Sequence, residues 1–248
     1  MTRILLVQSR QTPETVQREQ ENFRRAVMGR AELEFLSALD ERLAWTMPDE
    51  VLSGYDGVIF GGSADFDLHG GRGEKDPARI MAAIILSRAR LFIAYSFAQN
   101  LPVLGICFGH QIIAQMHGGE VESDAAQKKV GSYEAHLTTN GERDALFQGF
   151  PKNFVAQYWH KDSVTALPAG AVLLAQGPEC KFSALRYGEK AYTFQFHPEV
   201  RHSDFAVRLK ESGYLPEGIE LTSIVRESPE ASKIISLWVE RIVPSRQT

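Results

Sequence analysis

Gly105-Ile106-Cys107-Phe108-Gly109-His110-Gln111 is the segment of this 248-residue chain that most restricts how it folds. The apolar run Leu101 to Ile106 precedes it and the helical pattern Ile112-Ile113-Ala114-Gln115-Met116 follows. A strand therefore turns sharply into a helix, with a cysteine at the corner. Glycines two before and two after Cys107 match the nucleophile-elbow spacing, in which small residues let the backbone bend tightly and lift the central side chain into solvent. The positive end of the following helix favours a thiolate there. A cysteine that only fills core space needs no glycine on either side, so Cys107 is a candidate nucleophile.

A second segment supplies its base. Ala191-Tyr192-Thr193-Phe194-Gln195-Phe196-His197-Pro198-Glu199 reads as a strand with Tyr192, Phe194 and Phe196 on one face and His197 on the other. In an extended segment Glu199 shares the side of His197, and Pro198 stiffens the link. A cysteine nucleophile needs an imidazole to accept its proton and later protonate the leaving group, and the imidazole needs an anion to fix its tautomer and ring angle. The sequence distance from Cys107 is no obstacle, because such partners meet in space.

These residues resemble the class I glutamine amidotransferases, whose signature is G-x-C-x-G-x-Q followed far downstream by H-P-E. Both halves are present, as Gly105 to Gln111 and His197 to Glu199. Tyr55 to Ser63 and Trp159 to Val164 also agree with the family. The resemblance runs from the first strand to about Glu199. It implies a Cys107, His197, Glu199 triad and a glutamine-like substrate. It also implies oxyanion and substrate contacts from the loop at Gly61 and Gly62, where freed backbone N–H groups can face a developing negative oxygen, together with the N–H of Phe108. Gln111, one helical turn after Cys107, is expected to return its carboxamide to the pocket. Gly131, Ser132 and Tyr133 align loosely with a segment whose backbone binds the amino acid end of the substrate. Relatives usually read Ser-His-Gly-Asp where this chain has Trp159-His160-Lys161-Asp162, so a backbone conformation with positive φ would be strained at Lys161. His160 and Asp162 read as supporting rather than catalytic residues.

The length suits one α/β domain over residues 1–248, with 200–248 as a C-terminal helical extension, and an apolar fraction of 44% suffices for one sizeable core. A formal charge of −4, with no basic stretch interleaved with aromatics, argues against nucleic acid as a partner. Two cysteines, one of them in the elbow, form no disulfide framework without sacrificing the nucleophile, and Cys180 reads as a free thiol. The start, Thr2-Arg3 then Ile4 to Val7, is a first strand and too short for a signal peptide, and no apolar run is expected to span a bilayer. The expected compartment is the cytoplasm. The seven histidines show no metal-ligand spacing, and no metal or cofactor is called for.

Strands near Arg3 to Gln8, Leu33 to Leu36, Gly57 to Phe60 and Pro102 to Ile106 alternate with helices at Thr15 to Met28 and Pro77 to Gln99. This predicts a mostly parallel, flavodoxin-like central sheet with helices on both faces. After Gly118-Gly119 short strands are expected around Gly131 to Thr138, Phe154 to Tyr158, Ala171 to Ala175, Ser183 to Arg186 and Ala191 to Phe196, extending the sheet as an antiparallel meander. Helices are expected at Ser203 to Glu211 and Pro229 to Ile242, the second inward-facing through Ile234, Ile235, Leu237, Trp238 and Ile242. The glycine-rich stretch Asp65 to Lys75 suits a flap over the pocket.

The chemistry implied by the resemblance is attack of Cys107 on the γ-carbonyl of glutamine, a γ-glutamyl thioester, and release of glutamate and ammonia. A separate synthetase subunit is a candidate acceptor of the ammonia. The Cys107 to Ile113 run also resembles γ-glutamyl peptidases, which perform this chemistry on glutathione-like compounds. A non-catalytic glutamine-sensing module would be expected to lose a triad member, and a cysteine hydrolase acting on peptides or aldehydes would orient its imidazole without H-P-E. The oligomeric state leaves no trace in the sequence.

Overall fold

In the first strand, β1 (Thr2–Gln8), side chains alternate between two cores. Ile4 and Leu6 enter one apolar cluster while Leu5 and Val7 enter another. A strand buried on both faces must be covered on both, and the chain does this by alternating strands with helices. The computed structural model describes residues 1–178, 180–212 and 220–244.

In chain order there follow α1 (Pro13–Ala26), β2 (Ala31–Ser37), α2 (Pro48–Leu52), β3 (Gly57–Phe60), α3 (Pro77–Ala98), β4 (Val103–Ile106) and α4 (Phe108–Met116). Then come β5 (Val121–Glu122), β6 (Lys129–Leu137), α5 (Thr139–Arg143), β7 (Asn153–His160), β8 (Ser163–Val164), β9 (Ala171–Gly177), β10 (Cys180–Tyr187) and β11 (Ala191–Phe194). The chain continues with α6 (His202–Glu211), α7 (Leu221–Ile224) and α8 (Ile234–Arg241). Local chemistry sets the helix starts. Thr12 accepts from the Thr15 N–H ahead of Pro13, and Asp76 accepts from the Ala78 N–H ahead of Pro77.

Nine strands form one sheet in the order β2-β1-β3-β4-β11-β10-β9-β6-β7. Its first five strands are parallel. Strands β10, β9, β6 and β7 add an antiparallel extension. This confirms the mostly parallel, flavodoxin-like α/β class and corrects one detail. The later strands are not a sequential meander, because β6 inserts between β9 and β7, and β11 returns to lie parallel beside β4. A separate pair, β5 with β8, was too short to leave a periodic signal.

On one face α1 and α8 pack through Phe23, Ala26, Ile234, Ile235 and the fully buried Trp238. On the other, α3 and α4 contribute Ile85, Phe92, Ile93, Ile112 and Ile113. The inward role expected for the last helix therefore holds, with Leu237 only partly buried. Of the expected C-terminal extension, residues 213–219 and 245–248 lie outside the described part.

The expectation about membrane spans needs correction. Helix α3 contains an 18-residue window of mean hydropathy 1.6, long and apolar enough by length and composition to cross a bilayer. In this structure it lies against the sheet, and its Arg88 donates to the Ala38 carbonyl and packs over the Trp45 ring.

The parallel strands end at one edge. The order reverses beside β1, whose two neighbours are β2 and β3, and in such sheets the crevice at the carboxyl ends collects ligands. Arg10, Gly62, Cys107 and His197 follow β1, β3, β4 and β11 respectively, so all four reach this edge. Gly109 seals the crossover. A methyl group there would overlap the Phe60 carbonyl oxygen, while the Gly109 N–H donates to the Gly61 carbonyl at 3.1 Å. Gly109→Ala is expected to cost about 3 kcal/mol through forced backbone displacement. Thermal unfolding checks this, and an unchanged melting temperature would contradict the packing described.

Candidate active site

Cys107 occupies the elbow between β4 and α4 with φ 51° and ψ −100°, a region that non-glycine residues rarely adopt. Three backbone hydrogen bonds hold it there. The Cys107 N–H donates to Phe194 O at 2.7 Å, Gln111 N–H to Cys107 O at 3.1 Å, and Gly109 N–H to Gly61 O at 3.1 Å. Gly105 is equally constrained, because a Cβ would approach Ile113 Cδ1 to 2.8 Å and Gly109 O to 2.9 Å. The elbow expected from the glycine spacing is thus present.

His197 comes to Cys107 through strand pairing. Register sets Ile106 opposite Phe194, so the residues that follow β4 and β11 emerge side by side. The His197 N–H donates to Gln157 O at 2.8 Å, and its Nδ1 meets Glu199 Oε1 at 2.7 Å, with both side chains buried. The route differs from expectation. Residues 198–199 form a turn, with Val200 N–H donating to His197 O at 3.3 Å, so Glu199 reaches the ring by folding back rather than by extended alternation. Glu199 Oε2 makes no hydrogen bond among the described residues.

Burial alone would discharge the imidazole, but the charges of Glu199 and Cys107, with hydrogen bonds to both, outweigh it and raise His197 to about 10. Burial likewise opposes ionisation of Glu199, and the His197 charge overcomes it and holds the carboxyl below its ordinary value. The imidazole is therefore held in its charged form between Glu199 and Cys107. The Sγ of Cys107 also lies 3.8 Å from Gln195 Nε2 and from the Trp159 carbonyl oxygen.

The oxyanion loop is half of what was expected. The Gly61 N–H is spent on Val7 O at 3.0 Å and its carbonyl accepts from Gly109, so Gly61 is a sheet-terminating residue rather than a donor. Gly62 is the better-placed one. A Cβ there would lie 3.2 Å from His197 Cε1, 3.3 Å from Arg10 Nη2 and 3.5 Å from Cys107 Cβ, and its N–H makes no hydrogen bond among the described residues. Phe108 opens α4 with its N–H at the helix N-terminus.

Gln111 does face the pocket, which is lined by Arg10, Ser63, Phe66, Cys107, Gln111, Trp159, Lys161, His197 and Arg208 among others. Its amide is already engaged, donating to Asp162 O at 2.7 Å and Gln195 Oε1 at 3.3 Å. Gly131, Ser132 and Tyr133 do not line this pocket. The Ser132 hydroxyl donates to Gln157 Oε1 at 2.6 Å and accepts from the Arg226 N–H at 2.8 Å, and Tyr133 borders a different pocket beside Cys180. Strand pairing of β6 with β7 committed that segment to the sheet extension.

Lys161 adopts no positive φ, so the strain considered for it does not arise. Instead its ammonium pairs with Asp67 at 3.0 Å, while Asp162 accepts from the His69 and Gly70 N–H groups at 2.7 and 2.6 Å. The glycine-rich stretch 65–75 is therefore tied to the 160–162 segment rather than standing free as a flap. His160 supports this segment through Nδ1, which lies 3.1 Å from Asp162 O and 3.2 Å from Ser163 Oγ. Burial first, then the charge of His197, keeps it neutral, at about 3. Cys180 is a buried free thiol pushed up to about 11 by burial, unsuited to nucleophilic work.

Sequence reasoning missed several contributors. Arg10 is buried in a two-nitrogen hydrogen bond with Glu19 Oε1 at 3.0 and 2.8 Å, and Gln8 Nε2 donates to Glu19 Oε2 at 2.9 Å. The arginine's position just past β1 was its one available signal. Gln195, in phase with His197, could have been read from the same alternation. Arg208 had none, since it comes from α6, which follows the last of the sequence motifs.

Residues 49–215 match the class I glutamine amidotransferase family. The chain is 33% identical over 165 residues to a GMP synthase [glutamine-hydrolyzing] subunit of Archaeoglobus fulgidus, covering 66% of this chain and 77% of that one. It is 36% identical over 119 residues to GMP synthase [glutamine-hydrolyzing] of Thermosipho melanesiensis, where 48% of this chain matches only 22% of that protein. The fold is shared with a glutamine amidotransferase from Thermotoga maritima at a TM-score of 0.69 and 20% identity, covering 98% of this chain and 99% of that one. This chain belongs to the class I glutamine amidotransferases.

The shifted pair bounds a pH window. The contribution of His197, raised above its unfolded value of 6.5, is complete below that value and is lost as pH climbs towards 10. That of Glu199, lowered from 4.5, is present above that value and is lost on acidification through the folded value. The stability difference between the native protein and Glu199→Gln should therefore be largest between about pH 5 and 6.5 and shrink at alkaline pH, as read by urea unfolding across pH. A difference that widens above pH 7 would contradict the assigned charge states.

Proposed function

We propose that this chain hydrolyses the γ-carboxamide of glutamine to glutamate and ammonia. The observation that carries the reading is the elbow cysteine placed beside a buried His197 that Glu199 orients at 2.7 Å. The Cys107 thiolate attacks the γ-carbonyl carbon, and the N–H groups of Gly62 and Phe108 receive the oxyanion. Collapse of the tetrahedral species breaks the C–N bond, and the nitrogen leaves as ammonia with the proton of His197. The neutral imidazole then takes a proton from water, the hydroxide attacks the thioester, and glutamate and the Cys107 thiolate are released. Each oxyanion donor of this type contributes a factor of about a hundred to a thousand in rate.

Ammonia from such a site is useful when an acceptor is at hand. Several relatives are named as one subunit of GMP synthase [glutamine-hydrolyzing], and this chain matches about a fifth of longer synthases of that name; both facts support an acceptor site carried on a synthetase partner. A second reading, γ-glutamyl peptidase activity, is favoured by Arg208, an arginine at the pocket that makes no ion pair among the described residues.

Steady-state glutamate release from glutamine should be measurable and should fall at least about a thousandfold in Cys107→Ala, with an unchanged melting temperature. Glutamate release that survives the substitution would refute Cys107 as the nucleophile. Tight glutamine binding with no release, alone or with an added synthetase, would favour a sensing module.

A further inference from the structure

The polar lining of the catalytic pocket falls into two groups. In the first every charge is satisfied internally. Lys161 pairs with Asp67, Asp67 pairs also with Arg72, Asp162 holds the N–H groups of His69 and Gly70, and Gln111 holds the Asp162 carbonyl. The second group surrounds the imidazole. Arg10 is spent on Glu19, but Arg208 is not spent on anything: among the described residues its guanidinium makes no hydrogen bond and no ion pair. It stacks over the Trp159 ring with Cζ 5.4 Å from the centroid, and Trp159 lines the same pocket.

Leaving such a cation partly enclosed is costly. Its solvent is reduced, the neighbouring Arg10 repels it, and Glu199, whose charge offsets part of this, is committed to His197. Burial and Arg10 lower Arg208 to about 10, which still leaves it charged at neutral pH. A planar guanidinium whose N–H groups are unpaired among the described residues can offer two parallel donors, the geometry that fits a carboxylate. Arg208 lines the catalytic pocket together with Cys107, His197 and Trp159, and with Arg10 it also borders a small recess behind Glu199. Cys107, His197 and Arg208 share this pocket, so a leaving group that extends within it can reach the guanidinium.

We infer that Arg208, backed by Trp159, is a subsite for a carboxylate on the leaving group, so that the pocket accepts γ-glutamyl amino acids in addition to a bare γ-carboxamide. The inference rests on the thioester chemistry proposed above and names the substrate class which that chemistry would serve. With such a substrate the C–N bond breaks in the same way, and the amino acid departs as the free amine after taking the His197 proton. Its carboxylate stays paired with Arg208 until release. Arg208 thus sets specificity through binding and takes no part in bond making.

The test separates the subsite from the chemistry. In the full-length Cys107→Ala protein, which binds without turnover, calorimetry compares γ-glutamylglycine with its neutral isostere γ-glutamylglycinamide. The acid should bind about tenfold or more tighter than the amide, the ratio should fall to near unity in Cys107→Ala with Arg208→Gln, and Arg208→Lys should recover part of it. Equal affinities for acid and amide, or a ratio that survives Arg208→Gln, overturn the inference. Glutamate release by the native protein is measured alongside. A carboxylate preference without any release would sink the hydrolase reading and leave the subsite standing. Release from glutamine without a carboxylate preference would do the reverse. An Arg208→Gln protein with a native melting temperature excludes unfolding as the cause.

Discussion

The pairing of β11 alongside β4 is the constraint on which the rest of the site depends. Cys107 and His197 stand far apart along the chain, yet a parallel register that sets Ile106 against Phe194 delivers both to the same edge. The same pairing supplies the bond from the Cys107 N–H to the Phe194 carbonyl at 2.7 Å, which helps to hold the cysteine in its unusual conformation. Strand pairing therefore does two tasks at once, bringing the reacting groups together and sustaining the elbow.

Strain and buried charge concentrate at this edge, and each is compensated by a specific neighbour. The backbone of Cys107 costs of order 1–3 kcal/mol and is tolerated because Gly105 and Gly109 remove the side chains that would otherwise collide with the helix and with β3. The Glu199 carboxylate is buried against a protonated imidazole, and Arg10 is buried against Glu19. Removing one partner of either pair would strand a charge in a poorly solvated place, which costs far more than the pair itself gains. These pairs fix geometry more than they add stability.

The legible part of this protein was the part written in short, local patterns. Alternation in β1, β3 and β4, the glycines around Cys107 and the H-P-E run each act within a few residues, so the parallel sheet, the elbow and the imidazole–carboxylate pair could be read directly. Contributions that depend on distant elements could not. The turn at Pro198 and Glu199 replaces an extended segment because the Val200 N–H closes on His197. Gly61 loses its donor to Val7, and Ser132 loses its role in the pocket to Gln157 and Arg226. Arg208 emerges from a helix that carries no motif. What the sequence could not disclose in each case was which hydrogen-bond partner, far along the chain, would claim a given group.

The most direct test of the central claim is to trap the acyl-enzyme. Intact-mass measurement after rapid acid quench of the protein mixed with glutamine should show a fraction of molecules heavier by one glutamyl group, localised by peptide mapping to Cys107. The adduct should be absent from Cys107→Ala. A glutamyl adduct at any other residue, or glutamate release from protein that never carries one, would contradict the account of Cys107 as the nucleophile paired with His197.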